Sequence, residues 1–562
     1  MRKLGSVAVG TALVLALGAV SVVSVPPPVA ADSRFTTLGE SVSAVAKSSK
    51  SRWDSSTGIS KSAWASALQD STVKVGQSGR AFVVEPLISR LPMSSRQMRV
   101  APVNTDIALA DAFTLHSRPS SSHVIYLDFT GHNVTGSYWA DEFFGRANRN
   151  VAAYDTDNRA KTFSLSERQV IIDTWSAAVE DYSMFDVDVT TVQPSTSDLE
   201  RTNIGDSRYG VRVVITSENN PIASGCGCQG IAYMGVFNFY PGKEFDYSSV
   251  VSYTPAFAFA RANFSGKTIS DVVSHEAGHT IGLSHDGQGS DAYYIGRDGW
   301  APIMGAGYYE PLVQWSNGDY SDSTQTEDDF AVAQSTGLPL LADDYANTAE
   351  SATSVNLNST TTGVIGGRTD VDYFRFVPTS SSVDVSVALP SLSPDLDVSV
   401  VVYDSSLNPI ATANPDMSVV TDEVASGLAV SQAVNVTAGQ TYYLKIDGVG
   451  FGSGGATGYS DYGSVGEYQL TIESPRISPG TPMISGTAKV GSTLTVDAGT
   501  WSEGVALAKS WLRNGSPIGE SGLTYQLKTA DKGKKISVQV TATKDGFADV
   551  TVTSPATAKV KG

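Results

Sequence analysis

Residues 275–286 read HEAGHTIGLSHD, and this run constrains the fold more than any other stretch of the 562-residue chain. His275 and His279 are four apart, so on a helix they stand one turn apart on one face and can grip a single ion. Glu276 lies beside them, placed to polarise a bound water rather than to ligate. Gly282 lets the backbone leave the helix sharply, because glycine adopts left-handed dihedrals at no steric cost. After that turn His285 returns as a third ligand. Three protein ligands leave a fourth position for water, which is the layout of a catalytic zinc and not of a closed structural one. The chain has six histidines, and half of them fall in this run.

HEAGHTIGLSHD fits HExxHxxGxxH and so resembles the metzincin peptidases, which also carry a methionine turn beneath the metal. PIMGAGYY supplies that turn, with Met304 following Pro302 and Ile303. The resemblance implies Zn2+ held by His275, His279 and His285, Glu276 as general base, and Met304 as an apolar floor that is not a ligand. Asp286, directly after the third histidine, resembles the reprolysin-like (adamalysin) branch. Astacins and serralysins have a tyrosine two residues after the methionine, whereas position 306 is alanine. Tyr308 and Tyr309 come later, which leaves Tyr308 and Asp286 as accessory candidates.

The implied fold class is multidomain. An α+β metzincin-type catalytic domain, with a mixed twisted sheet plus the zinc helix, precedes two all-β sandwich domains. The implied activity is hydrolysis of peptide bonds in extracellular proteins, with proteins or peptides as substrates. A surface adhesin or matrix-binding protein with a silent or minor zinc domain is the alternative from another class. It rests on the two fifths of the chain given to sandwich modules. A zinc peptidase with glutamate as third ligand is disfavoured, since His285 stands at metzincin spacing.

Arg2 and Lys3 precede an apolar stretch from Val7 to Val25, and small residues at Val29 and Ala31 suit a cut before Asp32. Residues 1–31 therefore read as a signal peptide, and the protein as secreted and extracellular. Residues 32–119 read as a propeptide, Ser/Ala-rich with one strand-like run from Arg80 to Leu87. It has no cysteine, which excludes latency through a cysteine. The formal net charge is −18, yet residues 32–118 hold eleven Lys/Arg against seven Asp/Glu, so a basic segment precedes an acidic body as electrostatic docking would need. No basic stripe suggests nucleic acid as a partner. Past the leader, no segment approaches the roughly 20 apolar residues of a membrane span, so the mature form has none. Cys226 and Cys228 read as a local loop clip.

The catalytic domain is expected over 120–340, opening on the strand in HVIYLDFTG. A helix is predicted from Ser166 to Phe185, with Ser166 as cap and Gln169 at the third position. Strands are predicted at Val187–Val192, Val211–Thr216, Gly230–Phe237 and Ser249–Thr254, before the zinc helix. In the resembled fold the Gly230–Phe237 segment is an antiparallel edge that pairs with an extended peptide. Thr326 and Asp329 are expected to cap a last helix, with Glu327 to Asp329 complementing its N-terminus.

Residues 341–474 resemble the bacterial pre-peptidase C-terminal domain through TDVDYFRF, PDLDVSVVVYD, AGQTYYLKIDG and YGSVGEYQLTI. Asp370, Asp372, Asp395 and Asp397 are candidates for a structural Ca2+ there. Residues 475–562 resemble Ig-like repeats of Gram-positive surface proteins, with Trp511 as core tryptophan. Cell surface or extracellular matrix is the candidate partner of these modules.

Overall fold

An eight-stranded sheet organises the N-terminal half of this computed structural model. The structure describes residues 40–41, 59, 61, 64–76, 79–87, 103–142, 150–159, 161–217, 228–240, 252–454 and 456–562. The expected signal peptide lies outside them. The strands are β1 (Glu40–Ser41), β2 (Val73–Val75), β3 (Ala81–Pro86), β4 (His123–Asp128), β5 (Asp188–Thr190), β6 (Tyr209–Thr216), β7 (Cys228–Tyr233) and β8 (Ala256–Phe259). Their order across the sheet is β1-β2-β3-β7-β8-β6-β4-β5. Strands β8, β6, β4 and β5 run parallel to one another, and β7, β3, β2 and β1 continue the sheet antiparallel. Strand β4 is buried along its length, as parallel strands covered on both faces must be.

One face carries two helices packed on each other, α1 (Leu165–Asp181) and α2 (Gly266–Ile281). Ile125, Val213 and Ala258 of the sheet meet Ile171, Val273 and Ala277 there. The other face is closed by Trp139 with Phe82, Tyr233 and Phe257. Beyond α2 come the short parallel pair β9 (Trp300–Pro302) and β10 (Leu312–Gln314), then α3 (Asp329–Ser335).

Four local expectations need correction. Helix α1 is capped by Ser164, not Ser166, because Glu167 returns a bond to the Ser164 backbone and completes a capping box. The last strand before α2 is Ala256–Phe259. Residues 252–254 form no strand and 249–251 lie outside the described residues. Helix α3 is capped by Asp328, which accepts from Ala331 N–H, while Asp329 turns inward to accept from Ser316 N–H at 2.8 Å. Most consequentially, the segment expected to be an open edge is β7, and β3 is paired to it. The chain itself satisfies the row of backbone groups that an edge would expose.

The C-terminal half is all β. A five-stranded and a four-stranded sheet form one sandwich around Val383, Val385, Val387, Val400, Leu444 and Ile446. A three- and a four-stranded sheet form the second around Leu494, Trp511 and Val538. The alternation of buried and open positions along Gly466–Glu473 and Tyr442–Gly448 is the period of a strand with one face inward. The first sandwich docks on the N-terminal half through Tyr462, whose hydroxyl accepts from Phe330 N–H at 3.0 Å and donates to Asp328 at 2.8 Å. Among the described residues, no helix is long and apolar enough to cross a membrane.

Candidate metal centre

Helix α2 opens with Ser265 accepting from Thr268 N–H and ends at Gly282, whose φ of 112° is the left-handed turn the sequence reserved for glycine. The turned chain is pinned by Leu283 N–H to Gly278 O at 3.1 Å. His275, His279 and His285 are all buried, and their Nε2 atoms converge. His279 Nε2 lies 3.1 Å from the Nε2 of both His275 and His285.

The opposite ring nitrogens fix the tautomers. His275 Nδ1 donates to Ile303 O and His279 Nδ1 to Leu283 O, each at 2.8 Å. His285 Nδ1 donates to Asp70 Oδ2 at 2.5 Å. With the protons held at Nδ1, each Nε2 presents a lone pair to the common point.

A fourth group joins them from far away in the chain. Glu85 Oε1 stands 2.9 Å from His285 Nε2, 3.1 Å from His279 Nε2 and 3.5 Å from His275 Nε2. Its Oε2 has no partner. With the rings neutral and their protons at Nδ1, three lone pairs and a carboxylate oxygen meet at one buried point, an arrangement that a cation relieves. Zinc–nitrogen distances of about 2.0–2.1 Å imply tetrahedral edges of roughly 3.3 Å, and the observed spacings match. The four residues fit a zinc ion.

Glu276 is fully buried beside this group, and neither of its carboxylate oxygens has a partner. Burial, and then the neighbouring charge of Glu85, push its carboxyl well above the usual range. Gly230 of β7 makes room for it, since a Cβ there would overlap Glu276 Oε1. The field at the site favours positive charge. Burial disfavours an imidazolium at His285, yet Glu85 and Asp70 outweigh it and push the ring up to about 10. Burial brings His279 down to about 4.

Met304 is buried close under α2: a Cβ on Gly278 would sit 2.6 Å from its sulfur. Its carbonyl accepts from Asp286 N–H at 2.8 Å. Asp286 does not join the four-residue group. It turns to Gln325, whose Nε2 donates to it at 2.6 Å, and to the Tyr320 hydroxyl at 3.3 Å. Tyr308 is buried in the main core, where burial and then the carboxylates of Glu85 and Glu276 raise its hydroxyl pKa. Of the four calcium candidates, Asp370 and Asp372 gather with Asp343, whereas Asp395 is buried elsewhere and Asp397 accepts from the Tyr459 hydroxyl at 2.6 Å. Cys228 is disulfide-bonded, and Cys226 lies outside the described residues.

Sequence reasoning missed Glu85, Asp70 and Tyr293. The Tyr293 ring lies 4.2 Å from that of His285, and its hydroxyl donates to Thr72 Oγ1 at 3.1 Å. Only Glu85 left a signal, a carboxylate set inside the apolar strand-like run before Pro86.

Residues 150–286 match the family described as reprolysin-like metallo-peptidases of family M12B, roughly a quarter of the chain. No curated protein matches the chain. Among solved structures, the pre-peptidase C-terminal domain of a collagenase from Bacillus anthracis is 22% identical, covering 22% of this chain and 94% of that one, with a TM-score of 0.15. A β-glucuronidase from Parabacteroides merdae is 9% identical, covering 34% of this chain and 29% of its own, with a TM-score of 0.12. One from Ruminococcus gnavus is 10% identical, covering 33% and 35%, also at 0.12. This chain spans about a third of the length of those two enzymes. At these identities and scores the structural likenesses carry no argument about activity.

Proposed function

With the reprolysin-like metallopeptidase domain of residues 150–286 as premise, we propose that this chain is an exported zinc endopeptidase of extracellular proteins, with Glu276 as general base. The observation that carries the reading is the convergence of three acceptor nitrogens on one buried point beside the unpartnered Glu276. Zinc held there by His275, His279 and His285 supplies Lewis-acid polarisation of a water and of the scissile carbonyl. The chain's own residues do the remainder. Once β3 has left, β7 offers its backbone N–H and C=O groups to an extended peptide. Glu276 takes the proton of the attacking water and hands it to the leaving amide nitrogen. Tyr293 supplies a hydroxyl donor for the oxygen that gains charge. Met304 closes the floor beneath the imidazoles.

Export belongs to the same proposal and rests on Arg2, Lys3 and the apolar run behind them. So does a structural calcium at Asp343, Asp370 and Asp372, and surface or matrix contact through the terminal module. The test of the central reading is casein hydrolysis by protein recovered from culture medium. Cleavage is expected to vanish with a zinc chelator and in Glu276→Gln, and to return with added zinc. Normal cleavage by Glu276→Gln would refute the mechanism.

A further inference from the structure

The described part of the expected propeptide is built into the sheet rather than draped over it. In β3, Phe82 stands opposite Tyr233, Val83 opposite Ala232, Val84 opposite Ile231 and Glu85 opposite Gly230. The register slips at the next residue, where Pro86 faces Cys228. Proline has no N–H to continue the ladder, so the strand stops just after its carboxylate has reached the histidines. Phe82 packs edge-on against Trp139 and Tyr233, with ring centroids 6.2 and 5.7 Å away. Arg80 is buried, its Nη1 donating to Met234 O and Gly235 O at 3.1 Å and its guanidinium lying 5.0 Å from the Tyr253 ring. Trp64, Val73, Val75 and Val83 close a small core of their own over Met234.

Two acids of this segment reach the histidines from opposite sides. Glu85 Oε1 meets the Nε2 atoms, and Asp70 Oδ2 meets His285 Nδ1. Asp70 is itself held by Thr72, whose N–H donates at 2.8 Å and whose hydroxyl donates at 2.6 Å. An inner ligand and the outer partner that orients a ligand therefore come from one segment.

The geometry points to Glu85 as a fourth metal ligand that keeps the full chain latent. Its carboxylate is seated where the attacking water must sit, and β3 fills the strand position that an extended substrate needs. This inference rests on the zinc-peptidase reading above. A purely structural role for Glu85 leaves the site short of protons. One imidazolium cannot serve three rings, and it would leave both carboxylate oxygens of Glu276 without partners. A divalent ion offsets the charge of Glu85 and occupies all three lone pairs. Held in the same chain, the carboxylate acts as an intramolecular ligand, favoured by effective concentration. The segment achieves this without a cysteine.

The test uses the full chain carrying Glu276→Gln, which stays intact, loaded with Co2+ as a spectroscopic probe. Adding Glu85→Gln should change the visible cobalt spectrum and speed loss of cobalt to a chelator by at least about tenfold. Superimposable spectra and equal release rates would overturn the assignment. A peptide of residues 79–87, GRAFVVEPL, offers a second measurement that needs no variant protein. It should inhibit casein cleavage by protein recovered from culture medium, and Glu85→Gln in the peptide should weaken inhibition by at least about tenfold. Equal inhibition by both peptides would likewise overturn it. Failure of the underlying reading looks different: no cobalt bound and no casein cleaved by any form. Cobalt binding and cleavage that ignore Glu85 would sink the latch alone.

Discussion

Two buried carboxylates, one in the terminal sandwich and one in the N-terminal sheet, meet opposite surroundings. In the terminal sandwich Asp531 is met by donors: Arg513 Nε at 2.6 Å, the Tyr525 hydroxyl at 2.7 Å and Lys528 N–H at 2.7 Å. Burial works against its charge, yet these bonds hold its carboxyl below the usual range. Glu85 is met instead by three nitrogens whose protons are engaged elsewhere. Burial is common to both acids and separates nothing. What separates a structural acid from a ligand is whether its neighbours bring protons or lone pairs.

The largest effect is expected at Glu276. Glu276→Gln should lower casein hydrolysis by about 10²–10⁴-fold, the range of general acid–base catalysis, while metal analysis finds zinc still bound. Next comes Gly230→Ala. Its Cβ would force the Glu276 carboxylate aside, and a displacement of about 1 Å costs on the order of 10²-fold in rate. Steady-state kinetics that match the parent would contradict that packing.

At the donor-filled end, Asp531→Ala should lower the stability of the terminal sandwich by about 2–3 kcal/mol, since bonds to a charged group are lost. Calorimetry should show that transition alone move, with casein hydrolysis unchanged. A fall in activity would mean that the two ends are coupled.

The smallest effect is a pH dependence in the first sandwich. Burial, reinforced by Asp344, Asp370 and Asp343, pushes Asp372 up to about 8 despite the hydrogen bond from Tyr468. The folded state thus favours the protonated acid. Its contribution is full below the unfolded carboxyl range, about pH 4, and is lost as pH rises through about 8. In calcium-free buffer the thermal midpoint of this sandwich should fall towards alkaline pH in the parent and fall less steeply in Asp372→Asn, since Asp370 and Asp397 are also raised. Parallel profiles would show that Asp372 is not the titrating group.

Much of this was legible in the chain. The three histidines, the turn at Gly282 and the methionine at 304 are local or nearly so, and helical spacing brings them together without long-range knowledge. The sandwiches announced themselves through period-two alternation, as in Gly466–Glu473. What stayed hidden is what depends on remote pairing. Glu85 lies 194 residues from His279, and Asp70 lies 215 residues from His285. The strand-like run Arg80–Leu87 could be read, but nothing local says which strand it joins. Small misplacements had a similar source. Ser164 and Ser166 are both plausible caps, and it is the reciprocal bond from Glu167 that chooses between them.

The measurement that bears most directly on the central claim is anomalous diffraction at the zinc edge from crystals of the full Glu276→Gln chain. One strong peak is expected at about 2.0–2.1 Å from three imidazole nitrogens, those of His275, His279 and His285, with a Glu85 oxygen completing the shell. Zinc-loaded crystals with no peak at that point, or with the three rings turned away from one another, would contradict it.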